Sequence, residues 1–150
     1  MTLALALLGC ASWVDGTWLF EIDQNVDLGG TCAEDVDLGT QTDIGPSYQL
    51  VDIFEAADGS VVVFFDELLD GTRDGKVLTA SYEEMTEYSD GSSDRDAIKI
   101  DGTFAKGILN GEITESRTDT DANGDQTSCV FTYSYTAEPM ASSDESFVGD

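Results

Sequence analysis

The sequence predicts an all-β protein in which an antiparallel up-and-down meander of about eight strands closes into a barrel. Three observations carry this prediction. Several runs of residues alternate between apolar and polar with a period of two. Eight Asp-Gly or Asn-Gly pairs, which accept the positive φ angles of tight turns, punctuate the 150 residues. No stretch shows a sustained 3.6-residue period with a cap and a stop, so no helix is predicted.

Seven runs are strong strand candidates: residues 17–23, 48–54, 61–65, 77–88, 98–104, 109–113 and 129–135. The second and third are apolar enough to be strands covered on both faces. A weaker candidate lies between Val26 and Gly39 and would carry Cys32. Closing the meander into a barrel would remove the exposed edge strands.

The Asp-Gly pairs are expected mainly in turns, including the acidic run from Asp70 to Asp74. Gly102 is an exception, because it lies between Ile100 and Phe104 and fits a bend within a strand. Residues 138–150 are rich in Ser and acidic side chains and are expected to form a disordered tail.

The charge balance excludes several functions. The chain has 31 Asp or Glu against 6 Lys or Arg and no His, giving a formal net charge of −25. Such a chain is repelled by phosphate backbones, so we expect no nucleic-acid partner. The absence of His removes Ser-His-Asp and Cys-His catalysis and the commonest zinc ligand. The hydrophobic content of 41 % is high enough for a folded core of one domain.

The N-terminus carries a short apolar run, Met1–Leu8, directly followed by Gly9 and Cys10. A membrane-spanning helix needs about 20 apolar residues, so this run is too short for one. The segment from Leu7 to Cys10 resembles the lipobox of bacterial lipoproteins, in which the signal peptide is cut before a cysteine that then carries the lipid. Ala11 and Ser12 resemble the residues of lipoproteins sent to the outer membrane. The alternative is a buried N-terminal strand with a free thiol.

The remaining two cysteines, Cys32 and Cys129, make an even number in an oxidising compartment, where a disulfide between them is expected. Two buried free thiols are the alternative. A catalytic cysteine is disfavoured, since no His can activate the thiol and acidic surroundings raise its pKa.

A family resemblance supports the barrel. Gly16-Thr17-Trp18 resembles the start of the first strand in lipocalins and avidin-type barrels, and residues 100–115 are similar to lipocalin-like bacterial lipoproteins. The resemblance implies a barrel with an apolar interior and an open mouth. In lipocalins, a late arginine packs over the first-strand tryptophan, and Arg117 is the candidate for that role, although it lies on the penultimate strand.

Two groups of residues are candidates for binding. Glu115 and Arg117 share the parity of Ile113, so they are expected to face the barrel interior or its mouth, where they would orient a polar ligand head. The alternatives are a structural ion pair that closes the barrel end, or a strand end already in solvent. An aromatic stripe on inward parities either lines a ligand site or forms the core: Trp18, Phe20, Phe104, Phe131, Tyr133 and Tyr135.

The segment from Asp119 to Asp125 matches the first half of a calcium loop, with Asp119, Asp121, Asn123 and Asp125 as candidate ligands. The twelfth position is Val130 rather than Glu, and a strand follows instead of a helix. A hairpin turning at Asn123-Gly124 is the alternative, leaving weak calcium binding as the functional interpretation.

These observations divide the chain into a signal-peptide remnant (1–9), a lipid anchor and tether (10–16), a barrel (17–137) and an acidic tail (138–150). The first functional hypothesis is a non-enzymatic, lipid-anchored barrel of the bacterial outer membrane or cell surface that binds a small apolar or amphipathic ligand.

 We expect a monomer whose contact with the membrane is made by the lipid anchor alone. The second hypothesis is an acidic envelope interaction or structural protein with a solid barrel core and weak calcium binding. A hydrolase using a pair of carboxylates is the third.

Overall fold

The computed structural model describes residues 15–31 and 46–140, which form nine strands and one continuous antiparallel sheet. The strands are β1 (Gly16–Ile22), β2 (Asp27–Gly30), β3 (Ser47–Glu55), β4 (Ser60–Phe64), β5 (Leu68–Asp74), β6 (Val77–Glu87), β7 (Ser93–Ala105), β8 (Ile108–Thr120) and β9 (Gln126–Pro139). Within these residues, no helix is long and apolar enough to cross a membrane.

The sheet closes into an eight-stranded barrel, which confirms the predicted fold class. Strand β1 is followed in space by β3 to β9 in chain order, and β1 also pairs with β9. The closing pairs run from Trp18 opposite Pro139 to Ile22 opposite Tyr135. Strand β2 lies outside this ring and pairs with an earlier part of β9, where Gly30 is opposite Cys129.

The predicted turn at Asp70–Asp74 is wrong, because these residues belong to β5. The chain reverses after Asp74 instead, where Gly75 has a φ angle of +58°. Gly71 allows β5 and β6 to approach closely, since a Cβ at this position would overlap the carbonyl oxygen of Thr79 on β6. The barrel has the expected eight strands because β5, which was not predicted, belongs to the ring. The weaker strand candidate, β2, lies outside the ring.

The barrel core includes the fully buried ring of Trp18. The ring of Trp18 meets that of Phe104 edge-on, with 5.6 Å between the ring centroids. Phe20 is the next inward-facing residue of β1, and its ring stacks on that of Tyr135 with 4.5 Å between the ring centroids. Aliphatic side chains from the other strands complete this fully buried layer: Val51, Ile53, Val61, Val63, Leu69, Leu78, Ile100, Leu109 and Ile113.

A partly buried ion pair lies at the same end of the barrel as Trp18, which we call the packed end. The Nε atom of Arg73 donates a hydrogen bond to Oε1 of Glu55 at 2.6 Å. The side chain of Glu55 is only 5 % exposed and that of Arg73 20 %. The chain enters the barrel here, because the Asp15 carboxylate accepts a hydrogen bond from the backbone N–H of Glu55 at 2.7 Å.

The expectation that residues 48–54 and 61–65 are covered on both faces is wrong. Alternate side chains of these strands are buried in the barrel, but the others are exposed on its outer surface. We call the exposed set the outer apolar patch: Leu50, Phe54, Phe64 and Leu68. Continuous apolar runs are typical of strands covered on both faces, and here nothing in the described residues covers the outer one.

At the other end, the long strands extend past the barrel wall. Beyond Ser81, β6 pairs only with β7, and the pairing of β7 with β8 continues out to Ser93 and Thr120. Strand β9 also continues past the end of β1 and carries β2 at its side. This end of the barrel is open, and we call it the mouth.

The C-terminal boundary lies later than predicted. Strand β9 runs to Pro139, two residues beyond the expected end of the barrel, and the backbone N–H of Met140 donates to the carbonyl oxygen of Thr17 at 2.8 Å. The expected tail therefore begins no earlier than residue 141, and residues 141–150 lie outside the described part of the chain.

Candidate functional site at the barrel mouth

The mouth holds a cavity of about 410 Å³ between β6, β7, β8 and β9. Its walls combine apolar side chains with carboxylates, and the residues that shape it most are Tyr82, Glu84, Asp96, Ile98, Glu115 and Phe131. A smaller cavity of about 200 Å³ adjoins it towards β1 and β3, and Asp66 and Glu115 line both. Both cavities therefore lie at the mouth, above the packed core.

The cavity arises where inward-facing positions change from apolar to charged. On β8 the inward series runs from Ile113, which is buried, to Glu115, which is half-buried, and then to the exposed Arg117. On β7 the same change occurs between Ile98 and Asp96. Because side chains of a strand alternate between faces, these residues continue the core stripe upward into the mouth.

Glu115 is the most desolvated carboxylate of this site. Burial raises its pKa, and the negative charge of Asp66 raises it further. In residues 15–31 and 46–140, no side chain donates a hydrogen bond to its carboxylate. The opposite register position on β9 is Phe131, so an aromatic ring stands beside this acid.

Arg117 does not pair with Glu115, so the expected ion pair between them is not formed. Its Nε atom contacts Oδ1 of Asp119 at 2.8 Å, and an Nη atom contacts Oδ2 of Asp94 at 3.2 Å. The lipocalin-like role of packing over Trp18 is also wrong for Arg117. It lies eight residues along β8 from Leu109 at the packed end, or roughly 26 Å at the usual strand rise.

The predicted aromatic set is divided between the two ends. Trp18, Phe20 and Phe104 are 0–1 % exposed and belong to the packed core. Tyr135 is also buried, and its hydroxyl donates to the carbonyl oxygen of Asp101 at 3.3 Å. Only Tyr133 and Phe131 reach the mouth, where they line the smaller and the larger cavity respectively.

The predicted calcium segment forms a hairpin between β8 and β9. A carboxylate oxygen of Asp121 accepts hydrogen bonds from the backbone N–H groups of Asn123 at 2.8 Å and Asp125 at 2.9 Å. Asp119 contacts Arg117 instead of facing the loop. Across the described residues, no three His, Cys, Asp or Glu side chains are grouped so that they could hold a metal ion.

Of the three cysteines, the structure describes Cys129 but not Cys10 or Cys32. Cys129 lies on β9 opposite Gly30. Just before Cys32, the Thr31 hydroxyl accepts a hydrogen bond from the backbone N–H of Ser128 at 2.8 Å. The chain segments that precede Cys32 and Cys129 are therefore in direct contact.

Several mouth residues were missed by the sequence analysis: Asp66, Glu67, Tyr82, Glu84, Asp96 and Ile98. Parity offered a signal for some of them, since Tyr82 and Glu84 continue the inward stripe of Leu78 and Ala80. Asp66 and Glu67 had no such signal, because they lie in the turn between β4 and β5.

A second depression, of about 400 Å³, lies outside the barrel where β1 meets β9. Most of its lining residues are polar, including Glu21, Asp23 and Thr136, although Pro46 and Tyr135 also line it. It lacks the apolar wall that Ile98 and Phe131 give to the mouth, and apolar walls are typical of ligand sites. The mouth is therefore the candidate site.

Glu115→Gln should raise the stability of the protein at pH 7. The raised pKa of Glu115 means that the folded state binds its proton more tightly than the unfolded chain does. This proton linkage favours folding below the unfolded pKa, and the advantage is lost as the pH rises through the folded pKa. The difference between variant and wild type should therefore shrink towards pH 4, as measured by urea denaturation at both pH values.

The matched control for this prediction is Glu112→Gln, which removes the same charge from the exposed face of the same strand. General relief of charge repulsion would raise the stability of both variants equally. That outcome would contradict a specific cost of the Glu115 carboxylate.

Comparisons with known proteins leave the fold and the site to be interpreted on their own terms: no protein-family model, no curated protein and no solved structure matches this chain. The all-β, eight-stranded antiparallel barrel is consistent with a lipocalin-like architecture.

Proposed function

We propose that this protein is a non-enzymatic, lipid-anchored β-barrel of the bacterial outer membrane or cell surface that holds a small apolar or amphipathic ligand in its mouth. One observation carries the proposal. The barrel is filled with side chains at the packed end, but at the mouth it opens into a cavity of about 410 Å³ beside Ile98 and Phe131. Ligand sites typically measure roughly 300–1,000 Å³ and combine apolar walls with a few polar groups.

The position of the chain entry supports the proposed anchor. Asp15 contacts Glu55 at the packed end, only five residues after Cys10. A lipid on Cys10 would therefore tether the barrel by its packed end and direct the mouth away from the membrane. Palmitate labelling tests this directly, with label expected on the wild type and lost in Cys10→Ser. An unlabelled wild type would contradict the anchor.

A disulfide between Cys32 and Cys129 is part of the proposal. Its support is the contact between Thr31 and Ser128, the residues that directly precede the two cysteines. Gly30, opposite Cys129, has no side chain to occupy the space beside the sulfur atom. Mass spectrometry of an unreduced digest should find the two cysteine peptides linked, and two separately alkylated peptides would contradict the bridge.

The second candidate function is an acidic envelope interaction protein with a solid core. The filled layer around Trp18 favours it, since the packed end of the barrel offers no space for a ligand. The two candidates make opposite predictions about the mouth. It binds a small molecule under the first and none under the second.

Native mass spectrometry of the full chain, released from its source without denaturation, tests the first candidate. We expect a bound molecule of a few hundred daltons on the wild type. Ile98→Asn removes an apolar wall of the mouth and should abolish this adduct. The control Leu50→Asn changes the outer apolar patch and should retain it. An adduct that is never seen, or one lost only in Leu50→Asn, would contradict binding in the mouth.

A further inference from the structure

We propose that the ligand is an organic cation, an ammonium or guanidinium group attached to an apolar body. This inference rests on the proposed ligand-binding function and specifies which chemical class the mouth selects. Three features of the mouth support it: the sign of its charges, the contacts of Arg117 with two acids outside the lining, and the apolar wall beside its most buried acid.

The lining of the larger cavity is strongly negative. Five carboxylates contribute to it, from Asp66, Glu67, Glu84, Asp96 and Glu115, against the guanidinium of Arg117. An anionic ligand would meet like charges from β6, β7, β8 and the turn before β5, and such juxtaposition is costly at a partly desolvated site. A cationic ligand would meet opposite charges.

The positive charge of Arg117 is already engaged above the cavity. Asp119 and Asp94, neither of which lines the cavity, hold the guanidinium at 2.8 Å and 3.2 Å. These two contacts partly neutralise the guanidinium, although it is exposed and also lines the cavity. Five carboxylates against this one guanidinium leave the lining with an excess of four negative charges.

Glu115 places one of these negative charges beside an apolar surface. It is the half-buried carboxylate that lines both cavities, and Ile98 and Phe131 occupy the neighbouring register positions on β7 and β9. A ligand could place its cation at Glu115 while its apolar body lies against these two side chains. Glu84, whose carboxylate accepts a hydrogen bond from the Tyr82 hydroxyl at 2.9 Å, forms the facing wall.

The test compares three probes with the same alkyl chain: octyltrimethylammonium, octyl glucoside and octyl sulfate. Isothermal titration calorimetry below the micellar concentration, in 0.15 M NaCl, measures their affinity for the full chain. We expect the ammonium probe to bind at least about tenfold more tightly than the glucoside, and the sulfate to bind least. Glu84→Gln combined with Glu115→Gln should weaken ammonium binding about tenfold and leave glucoside binding within about twofold.

The matched control combines Glu87→Gln with Glu112→Gln, which removes two charges from the outward faces of the same strands, β6 and β8. It should change ammonium binding less than about twofold, and circular dichroism checks that both double variants are folded. Equal weakening by the two double variants would overturn the inference, because general attraction to an acidic protein would then explain the binding. Equal affinity for ammonium and glucoside would overturn it too, while leaving the proposed function intact. Binding of none of the three probes would overturn both proposals.

Discussion

Trp18→Ala should lower the free energy of unfolding by about 3–5 kcal/mol, the range found when a buried large aromatic side chain is truncated. Trp18 is 1 % exposed, and its ring packs against Phe104 at the packed end. The substitution leaves a cavity that the surrounding strands cannot close without breaking their ladders. Urea denaturation followed by circular dichroism measures the loss.

The control for this prediction is Leu50→Ala, which truncates a large apolar side chain that is 60 % exposed on the outer apolar patch. It should change the free energy of unfolding by no more than about 0.5 kcal/mol. Equal effects at the two positions would mean that the interior of the barrel does not dominate stability.

Arg73→Met should also be damaging, with a loss of roughly 1–3 kcal/mol, because it removes the guanidinium that holds the partly buried Glu55 carboxylate. Replacing both partners, as Arg73→Met with Glu55→Leu, should recover most of this loss. A buried ion pair exchanged for apolar side chains is often nearly neutral. Denaturant unfolding of the two variants beside the wild type measures both effects.

The comparison variant is Arg95→Met, which breaks the exposed pair between Arg95 and Glu83. Its stability should stay close to that of the wild type, since solvent screens exposed ion pairs. If the double variant at positions 55 and 73 were as unstable as Arg73→Met alone, the loss of the guanidinium beside the Glu55 carboxylate would not be the cause.

The barrel could be predicted because its determinants are local. The alternation along β1 places Trp18, Phe20 and Ile22 on one face, and the structure buries these three side chains. Strand β5 was missed because Gly71 carries a turn signal but is needed for the close approach of β6. The same dipeptide thus serves a turn or a strand, depending on a neighbour that is distant in sequence.

The site was only partly predictable, since parity gives the face of a strand but not the height along the barrel axis. Phe20 and Phe131 share an inward parity, yet one lies in the packed core and the other at the mouth. Glu115 was identified correctly as inward-facing, whereas the facing acids Glu84 and Asp96 depend on the register between β6 and β7. That register is set by tertiary pairing, which the sequence pattern did not reveal.

The negative charge of the chain also has two different roles in the structure. Most of it lies on exposed turns and outward strand faces, such as Asp70 and Glu112, where it solvates the barrel. A smaller part lies inside the mouth beside apolar walls, where opposite charge on a ligand would be attracted most strongly.

The most direct test of the account is to map where an amphipathic ligand binds. The full chain, labelled with ¹⁵N, would be titrated with the neutral probe N-phenyl-1-naphthylamine while amide chemical shifts are followed by NMR. We predict that shifts concentrate at Ala97, Glu115 and Phe131 around the mouth, and that Leu50 and Phe64 on the outer apolar patch remain unchanged. Shifts confined to Leu50, Phe64 and their neighbours, or no shifts at saturating probe, would contradict a ligand site in the barrel mouth.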